Sequence, residues 1–155
     1  RQTNLIMMPT RGHTRFRQFL MGSTTSAVLH DAKCAVWTSA HSEVLTVPAE
    51  VRSIVCAVDI HDACIPALKA AKLLAQSWNA KLSVVHEVIA VDPRYETAIA
   101  DRAHAYLVND ARERYSELAA KAGITQDLEI VEEVSLGIGL AEAARRHQAD
   151  LMVIG

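Results

Sequence analysis

Two glycines and the hydroxyl residues after the second one suit phosphate binding. Gly12 is followed ten positions later by Gly22, and Ser23 and Thr24 come next. Glycine lets the backbone approach a phosphate closely and adopt positive φ. Ser23 suits the start of a helix, whose first turn offers free amides and the positive end of a dipole. Basic side chains in the same segment add positive charge: Arg11, His13, Arg15 and Arg17. An ordinary strand-to-helix connection with a solvated basic face stays open as the alternative.

A second candidate is an acid at the end of an apolar run. Residues 53–58 form such a run, and Asp59 follows it directly. In open parallel sheets, ligands bind at the carboxyl ends of the strands, near the point where strand order reverses. Asp59 is therefore a candidate ligand residue, with a helix cap as the plainer alternative. The seven histidines show no metal-ligand spacing, so we expect no metal site, and no motif supports a named catalytic reaction.

Apolar runs and helical periodicity alternate along the chain, which is typical of α/β proteins. Strands are predicted at 4–8, 34–38, 53–58, 82–86, 128–131 and 150–154. Helices are predicted at 23–32, 62–78, 92–122 and 138–148. Strands that are apolar throughout predict an open parallel sheet covered by helices on both faces, a doubly wound arrangement.

The two ends of the chain resemble each other. The hexapeptide 4–9 (NLIMMP) is echoed by 150–155 (DLMVIG), an offset of 146 residues, about the size of one domain. We therefore expect parts of two tandem copies of one unit. Residues 1–40 would be the end of the first copy, 41–50 a linker, and 51–155 most of the second copy. Because the chain starts with Arg1, we expect the native N-terminus to be absent.

The composition excludes several classes of protein. Half of the 155 residues are hydrophobic, 22% are charged, and the net charge is −2. A globular domain is expected, with neither nucleic acid nor a membrane as a partner, because no basic excess and no apolar run of about 20 residues is present. The three cysteines, Cys34, Cys56 and Cys64, lack metal-type spacing. Buried thiols in a reducing cytoplasm are the expectation.

The motifs together resemble the universal stress protein family. Its C-terminal signature is an apolar strand, Gly-x2-Gly-x9-Gly-Ser/Thr, a helix and a short strand. In this chain Gly12 matches the second glycine, nine residues separate it from Gly22, and Ser23 follows. Residues 52–88 are similar to the family's opening, which has a strand ending in Val-Asp, a helix rich in alanine and leucine, and a strand ending in Val-His.

The resemblance implies a Rossmann-like sheet of order 3-2-1-4-5 that binds ATP or AMP, with Mg²⁺ as a possible companion. Asp59 would face the adenine, and Glu87 would lie where a usually apolar residue touches the base. Pro9 stands at the first glycine of the motif and weakens the phosphate cradle, because proline has no amide to donate. The matching residue of the second copy is Gly155. The candidate cofactor-binding residues are Asp59, Glu87, Gly12, His13, Gly22, Ser23, Thr24 and Gly155.

A complete site would need residues 1–38 to dock beside the strand that ends at Asp59, within one chain or by exchange between two. The two copies of the fourth strand would then compete for one position. The first hypothesis is an adenine nucleotide-binding regulatory domain in the stress response, acting as a homodimer or strand-swapped oligomer rather than as a dedicated enzyme. Two alternatives stay open: an interaction module that needs no nucleotide, and a slow ATP hydrolase that uses Asp59 and a divalent ion.

Overall fold

A computed structural model of the chain describes residues 3–9, 23–39, 50–90, 97–133 and 137–155. The chain divides into two compact units, Arg1–Val47 and Pro48–Gly155. This boundary falls within the segment that was predicted to be a linker. Each unit is described by itself.

The first unit contains two strands and one helix. Strand β1 (Leu5–Pro9) pairs in parallel with β2 (Ala35–Ser39), and helix α1 (Ser23–Asp31) lies between them in the chain. The register runs from Leu5 opposite Ala35 to Pro9 opposite Ser39. A parallel pair needs a long crossover connection, and the segment that contains α1 supplies it. The helix begins at Ser23, as its residue type predicted.

The second unit alternates strands and helices. Its elements are β3 (Ser53–Ala57), a 3₁₀ turn (Asp62–Cys64), α2 (Ile65–Trp78), β4 (Lys81–Ile89), α3 (Ala98–Ala122), β5 (Leu128–Glu133), α4 (Ile138–Arg146) and β6 (Leu151–Ile154). Local residue chemistry sets the helix ends. Thr97 Oγ1 accepts a hydrogen bond from the Ala100 amide at 3.2 Å at the start of α3. Gly123, with φ of 70°, ends α3 in the left-handed conformation, as predicted. Most of the stretch before Ala98 that was predicted to be helical lies outside the described residues.

All strands of the second unit are parallel, in the order β5-β4-β3-β6. The chain moves outward from β3 through β4 to β5 and then returns to the other side of β3 as β6. Strand order therefore reverses between β3 and β6. The predicted α/β class with a parallel sheet is confirmed, whereas the fifth strand position and the permuted or swapped assembly stay predictions. Of the two similar strands, β6 occupies the position beside β3, and β1 pairs with β2.

The sheet separates two hydrophobic clusters. On one face, Ile54 and Cys56 of β3 and Val84 of β4 pack with Leu68 of α2 and Tyr115 of α3. Because side chains alternate along a strand, the residues between them face the opposite side. The second cluster consists of Val55, Ala57, Val85, Val131 and Ala143. Helices therefore cover both faces, as the unbroken apolar strands predicted.

The cysteines follow the prediction in part. Cys56 and Cys64 are buried, and Cys34 is half-buried. Burial, with a smaller contribution from neighbouring Cys64, raises the pKa of the Cys56 thiol to about 12. Burial also raises the pKa of the Cys64 thiol. These two thiols therefore stay protonated at neutral pH and act as small hydrophobic groups in the core.

Candidate functional site

Two of the candidate residues meet where strand order reverses. Asp59 follows β3 and Gly155 follows β6. The Gly155 amide donates to the Ala57 carbonyl, and the Asp59 amide donates to the Gly155 carbonyl, each at 3.3 Å. These bonds continue the β3–β6 ladder past the last strand residues. They hold Asp59 and Gly155 side by side at the position where doubly wound sheets bind ligands.

The Asp59 carboxylate is open to solvent. Its side chain is 74% exposed, and Oδ2 lies 3.8 Å from Nε2 of His61. The backbone between these residues is tightly turned, because the His61 amide donates to the Asp59 carbonyl at 2.7 Å. An exposed carboxylate at this edge can accept hydrogen bonds from the amino group of a ligand.

Gly155 lies against the start of α2. A Cβ atom placed on Gly155 would lie 2.2 Å from Cβ of Ala67, a distance that real atoms do not show. The close approach of α2 to the end of β6 therefore requires glycine at this position. Packing against Ala67 thus accounts for glycine at position 155, and its role as a ligand residue stays a prediction.

His86 and Glu87 lie in the second half of β4, which extends to Ile89. Both side chains contact backbone groups of neighbouring segments. His86 Nδ1 lies 2.8 Å from the Val58 carbonyl oxygen, within hydrogen-bond distance, so this histidine links β4 to the end of β3. The Glu87 carboxylate accepts hydrogen bonds from the amides of Gly137 and Gly139, at 2.7 and 2.9 Å. Glu87 thus shares the carboxyl edge with Asp59, and its oxygens are engaged at the start of α4.

The candidate residues of the first unit are described only in part. Gly12, His13 and Gly22 lie outside the described residues. Ser23 is the first residue of α1, and Thr24 is exposed in its first turn. Their assignment to ribose and phosphates stays a prediction.

Within the described ranges, no group of three or more histidine, cysteine and acidic residues is arranged to hold a metal ion. None of the helices in that part of the chain is both long and apolar enough to span a membrane. A cytoplasmic location stays a prediction.

A polar network that the sequence analysis missed lies at the opposite, amino edge of the sheet. His147 Nδ1 lies 3.2 Å from Ser83 Oγ, and Nε2 lies 2.6 Å from Oε2 of Glu129. Arg146 donates to the other oxygen of Glu129 at 2.5 Å. No motif marks this group, because its members are separated by up to 64 residues. The network joins the end of α4 to β4 and β5, far along the strands from Asp59.

The network has a measurable pH dependence. Burial would raise the pKa of the Glu129 carboxyl, but hydrogen bonds from His147 and Arg146 outweigh burial and lower the pKa below its ordinary value of 4.5. A carboxylate with a lowered pKa in the folded state stabilises the fold above its unfolded-state pKa, and this contribution is lost as the pH falls through the folded-state pKa.

We therefore expect Glu129→Gln to unfold at lower urea concentration than wild type at pH 7. The difference should shrink as the pH falls below about 4.5, because the unfolded wild type takes up a proton there first, and should vanish once the pH is below the lowered pKa of folded Glu129. Urea unfolding between pH 7 and pH 3 measures this. Glu142→Gln is the control, since Glu142 pairs with Arg145 on the exposed side of α4. A Glu129→Gln deficit that does not vary with pH would contradict the assignment.

The fold defines the class of protein, an α/β domain with a parallel sheet between helices, in which strand order reverses between β3 and β6. The family model described as "Universal stress protein family" matches residues 1–39 and 50–155. The chain belongs to the universal stress protein family, as the sequence motifs predicted. No curated protein matches the chain.

Solved structures show the same fold. A protein of the universal stress protein family from Burkholderia pseudomallei is 28% identical, with a TM-score of 0.52, over 69% of this chain and 83% of that chain. A universal stress protein in complex with cAMP is 22% identical, with a TM-score of 0.52, over 69% of this chain and 77% of that one. A universal stress protein from Archaeoglobus fulgidus DSM 4304 is 22% identical, with a TM-score of 0.62. That match covers 98% of this chain and 49% of the other, so this chain spans about half the length of that relative.

Proposed function

We propose that the chain is an adenine nucleotide-binding regulatory domain that takes ATP or AMP. The observation that carries the proposal is the backbone pairing of Asp59 with Gly155 at the reversal of strand order. This pairing puts an exposed carboxylate and a glycine at the same point of the carboxyl edge. In this proposal, nucleotide binding regulates the protein, and the chain is not a dedicated enzyme that converts the nucleotide to product.

The two residues suit different parts of an adenine nucleotide. The exocyclic amine of adenine is a hydrogen-bond donor, and the ionised Asp59 carboxylate is an acceptor that cannot donate, so the two groups are complementary. A glycine allows ribose or phosphate to approach the backbone. One solved relative is a complex with cAMP, and this supports an adenine nucleotide as the class of ligand. Mg²⁺ would enter with the phosphates of ATP as their counterion.

The phosphates of the nucleotide need hydrogen-bond donors, and in this proposal the second unit does not supply all of them. We assign them to Gly12, His13, Gly22, Ser23 and Thr24 of the first unit, which would act in a permuted assembly or by exchange between two chains. The family model matches residues 1–39 and 50–155 and leaves the predicted linker between them unmatched, which supports two partial copies in tandem. The Archaeoglobus fulgidus relative, twice as long, supports the same organisation.

Asp59→Asn tests the contact with the base. A hydrogen bond to a charged group contributes about 1.5–3 kcal/mol, so we expect the affinity for ATP and for adenosine to fall about 10- to 100-fold. Isothermal titration calorimetry on the full chain measures both ligands. Asp127→Asn, a change of an exposed carboxylate in the turn before β5, should leave both affinities unchanged. No heat from wild type at millimolar ATP, or equal affinities of wild type and Asp59→Asn, would contradict the proposal.

Ser23→Ala tests the contribution of the first unit. Loss of one hydroxyl donor to phosphate is worth about 1 kcal/mol, so ATP should bind about fivefold more weakly, while adenosine should bind as before. Ser26→Ala, an exposed position of the same helix, is the matched control. If the site is shared between exchanged chains, ATP affinity should also fall when the protein is diluted. A Ser23→Ala variant that binds ATP with wild-type affinity would contradict the assignment of Ser23 to the phosphates.

An interaction module that needs no nucleotide is the second candidate. Exposed apolar side chains favour it: Ile154 is 71% exposed, Tyr106 68% and Leu107 53%. Ile154 belongs to β6, an edge strand of the four-stranded sheet, and open strand edges pair readily with other chains. A homodimer or strand-swapped oligomer is the assembly that we propose for the edge of β6.

Analytical ultracentrifugation with and without ATP separates the two candidates. The nucleotide-binding domain should release or absorb heat when ATP is added in calorimetry. In ultracentrifugation, Ile154→Lys should weaken self-association through the edge of β6. The interaction module should give an oligomer that ignores ATP, with no ATP heat. Phosphate release that is abolished in Asp59→Ala would instead support the slow hydrolase. A monomer at all concentrations would contradict the homodimer.

A further inference from the structure

Folding joins a serine, a histidine and an acid by hydrogen bonds at the amino edge of the four-stranded sheet. Ser83 Oγ lies 3.2 Å from His147 Nδ1, and His147 Nε2 lies 2.6 Å from Oε2 of Glu129. An activated nucleophile lies within about 2.6–3.2 Å of a base, and a third group orients that base. The three side chains have these contacts, and we call them the Ser83 relay.

The Glu129 carboxylate determines which nitrogen of the imidazole carries the proton. The pKa of Glu129 lies below its ordinary value of 4.5, so the carboxylate is ionised at neutral pH and can only accept hydrogen bonds. Arg146 donates to its other oxygen. A neutral His147 therefore carries its proton on Nε2, which leaves the lone pair of Nδ1 for the hydroxyl proton of Ser83. The histidine is thus oriented as a base toward the serine.

The relay is only partly buried. Ser83 lies two residues before Val85 on β4, so both side chains are on the face of the sheet that α4 covers. The His147 side chain is 19% exposed, the Glu129 side chain is 33% exposed, and Ser83 is half-buried. Burial limits the competition of water for the two hydrogen bonds, and the remaining exposure gives a small molecule access to the relay.

Ser53, on the neighbouring strand β3, makes a different contact with the same histidine. Its hydroxyl donates to the backbone carbonyl oxygen of His147 at 2.8 Å. A carbonyl oxygen is too weak a base to take a proton from serine, whereas a neutral imidazole is a general base near neutral pH. Ser53 therefore has a hydrogen-bond partner without being activated, and it serves as an internal comparison for Ser83.

We propose that Ser83 is a nucleophile that accepts acyl groups from small activated esters. Its oxygen attacks the ester carbonyl carbon, and its proton passes to Nδ1 of His147. The bond from that carbon to the leaving alcohol then breaks, and the alcohol oxygen takes the proton from His147. The products of this step are an ester of Ser83 and the free alcohol.

Water completes the reaction in the same way. It attacks the ester of Ser83 and gives a proton to His147, and the proton returns to the serine oxygen as the carboxylic acid leaves. Glu129 is the positioning residue, because it holds the imidazole and stabilises its protonated form. This activity lies at the opposite edge of the sheet from Asp59 and does not depend on nucleotide binding.

Covalent labelling of the full chain tests the proposal. A short-chain alkyl fluorophosphonate forms a phosphorus–oxygen bond with an activated serine and releases fluoride, and mass spectrometry of peptides locates the label. We expect the label on Ser83 and not on Ser53. An unlabelled Ser83, or equal labelling of the two serines, would overturn the proposal.

Substitutions in the relay separate activation from a purely structural role. General base catalysis contributes about 100-fold or more, so His147→Gln should slow labelling of Ser83 by at least about this factor. The wild-type rate should fall as the pH is lowered from about 8 to about 5, because a protonated imidazole cannot accept a proton. The rate in His147→Gln should lack this fall. A natively folded His147→Gln chain, judged by circular dichroism, that is labelled at the wild-type rate would overturn the relay.

Glu129→Gln tests the positioning residue. Labelling should slow by at least about tenfold, and the rate should begin to fall at lower pH than in wild type, because the imidazolium loses its carboxylate partner. Ser77→Ala is the control, since the Ser77 hydroxyl donates to the Leu73 carbonyl of its own helix at 2.8 Å. It should be labelled at Ser83 at the wild-type rate. An unchanged rate and pH profile in Glu129→Gln would refute the role of Glu129.

An ester substrate provides the second measurement. Wild type should release p-nitrophenolate from p-nitrophenyl acetate faster than Ser83→Ala, and mass spectrometry should find the acetyl group on Ser83 when the reaction is stopped early with acid. Equal rates for the two proteins would overturn acyl transfer by Ser83, whatever the result of nucleotide titrations.

Discussion

Parallel pairing between β3 and β6 is the constraint on which the second unit depends. It puts the last strand beside the first, and α4 must therefore cross the face of the sheet between β5 and β6. That crossing covers the second face of the sheet and packs Ala143 against Val85 and Val131. The same pairing extends past the strands to Asp59 and Gly155. Core and candidate site are thus consequences of one backbone ladder.

Residues at the two edges of the sheet have separate tasks. At the amino edge, the Asp150 carboxylate accepts from the amides of Arg52 and Ser53, at 2.8 and 3.0 Å, and so fixes the register where β3 and β6 begin. The His147 network fixes the end of α4 at the same edge. At the carboxyl edge, Asp59 stays open to solvent. Among the acids of the carboxyl edge, Glu87 is engaged by amides of the chain, whereas the carboxylate that we assign to the ligand is exposed.

Much of the fold could be predicted because it is encoded locally. The apolar run at 53–58 predicts β3 within one residue, and Gly123 marks the end of α3 through its positive φ. Family membership, predicted from the glycine spacing and the Val-Asp strand end, is confirmed. The partner of Glu87 could not be predicted, because Gly137 and Gly139 are 50 and 52 residues away and only folding brings them together. The same limit applies to Ser83, Glu129 and His147. The tandem origin of the two units stays a prediction.

The order in which the strands leave the ribosome has a consequence for folding. Strand β3 is made first in the second unit, yet its neighbour on one side is made last, and contacts such as Ser53 to Asp150 join residues 97 apart. Contacts of such long range form late and slow the folding of a domain. One edge of β3 therefore has no strand to pair with until β6 has been synthesised. The backbone bonds between Asp59 and Gly155 therefore form only after β6 has been made, so the candidate site is among the last parts of this unit to assemble.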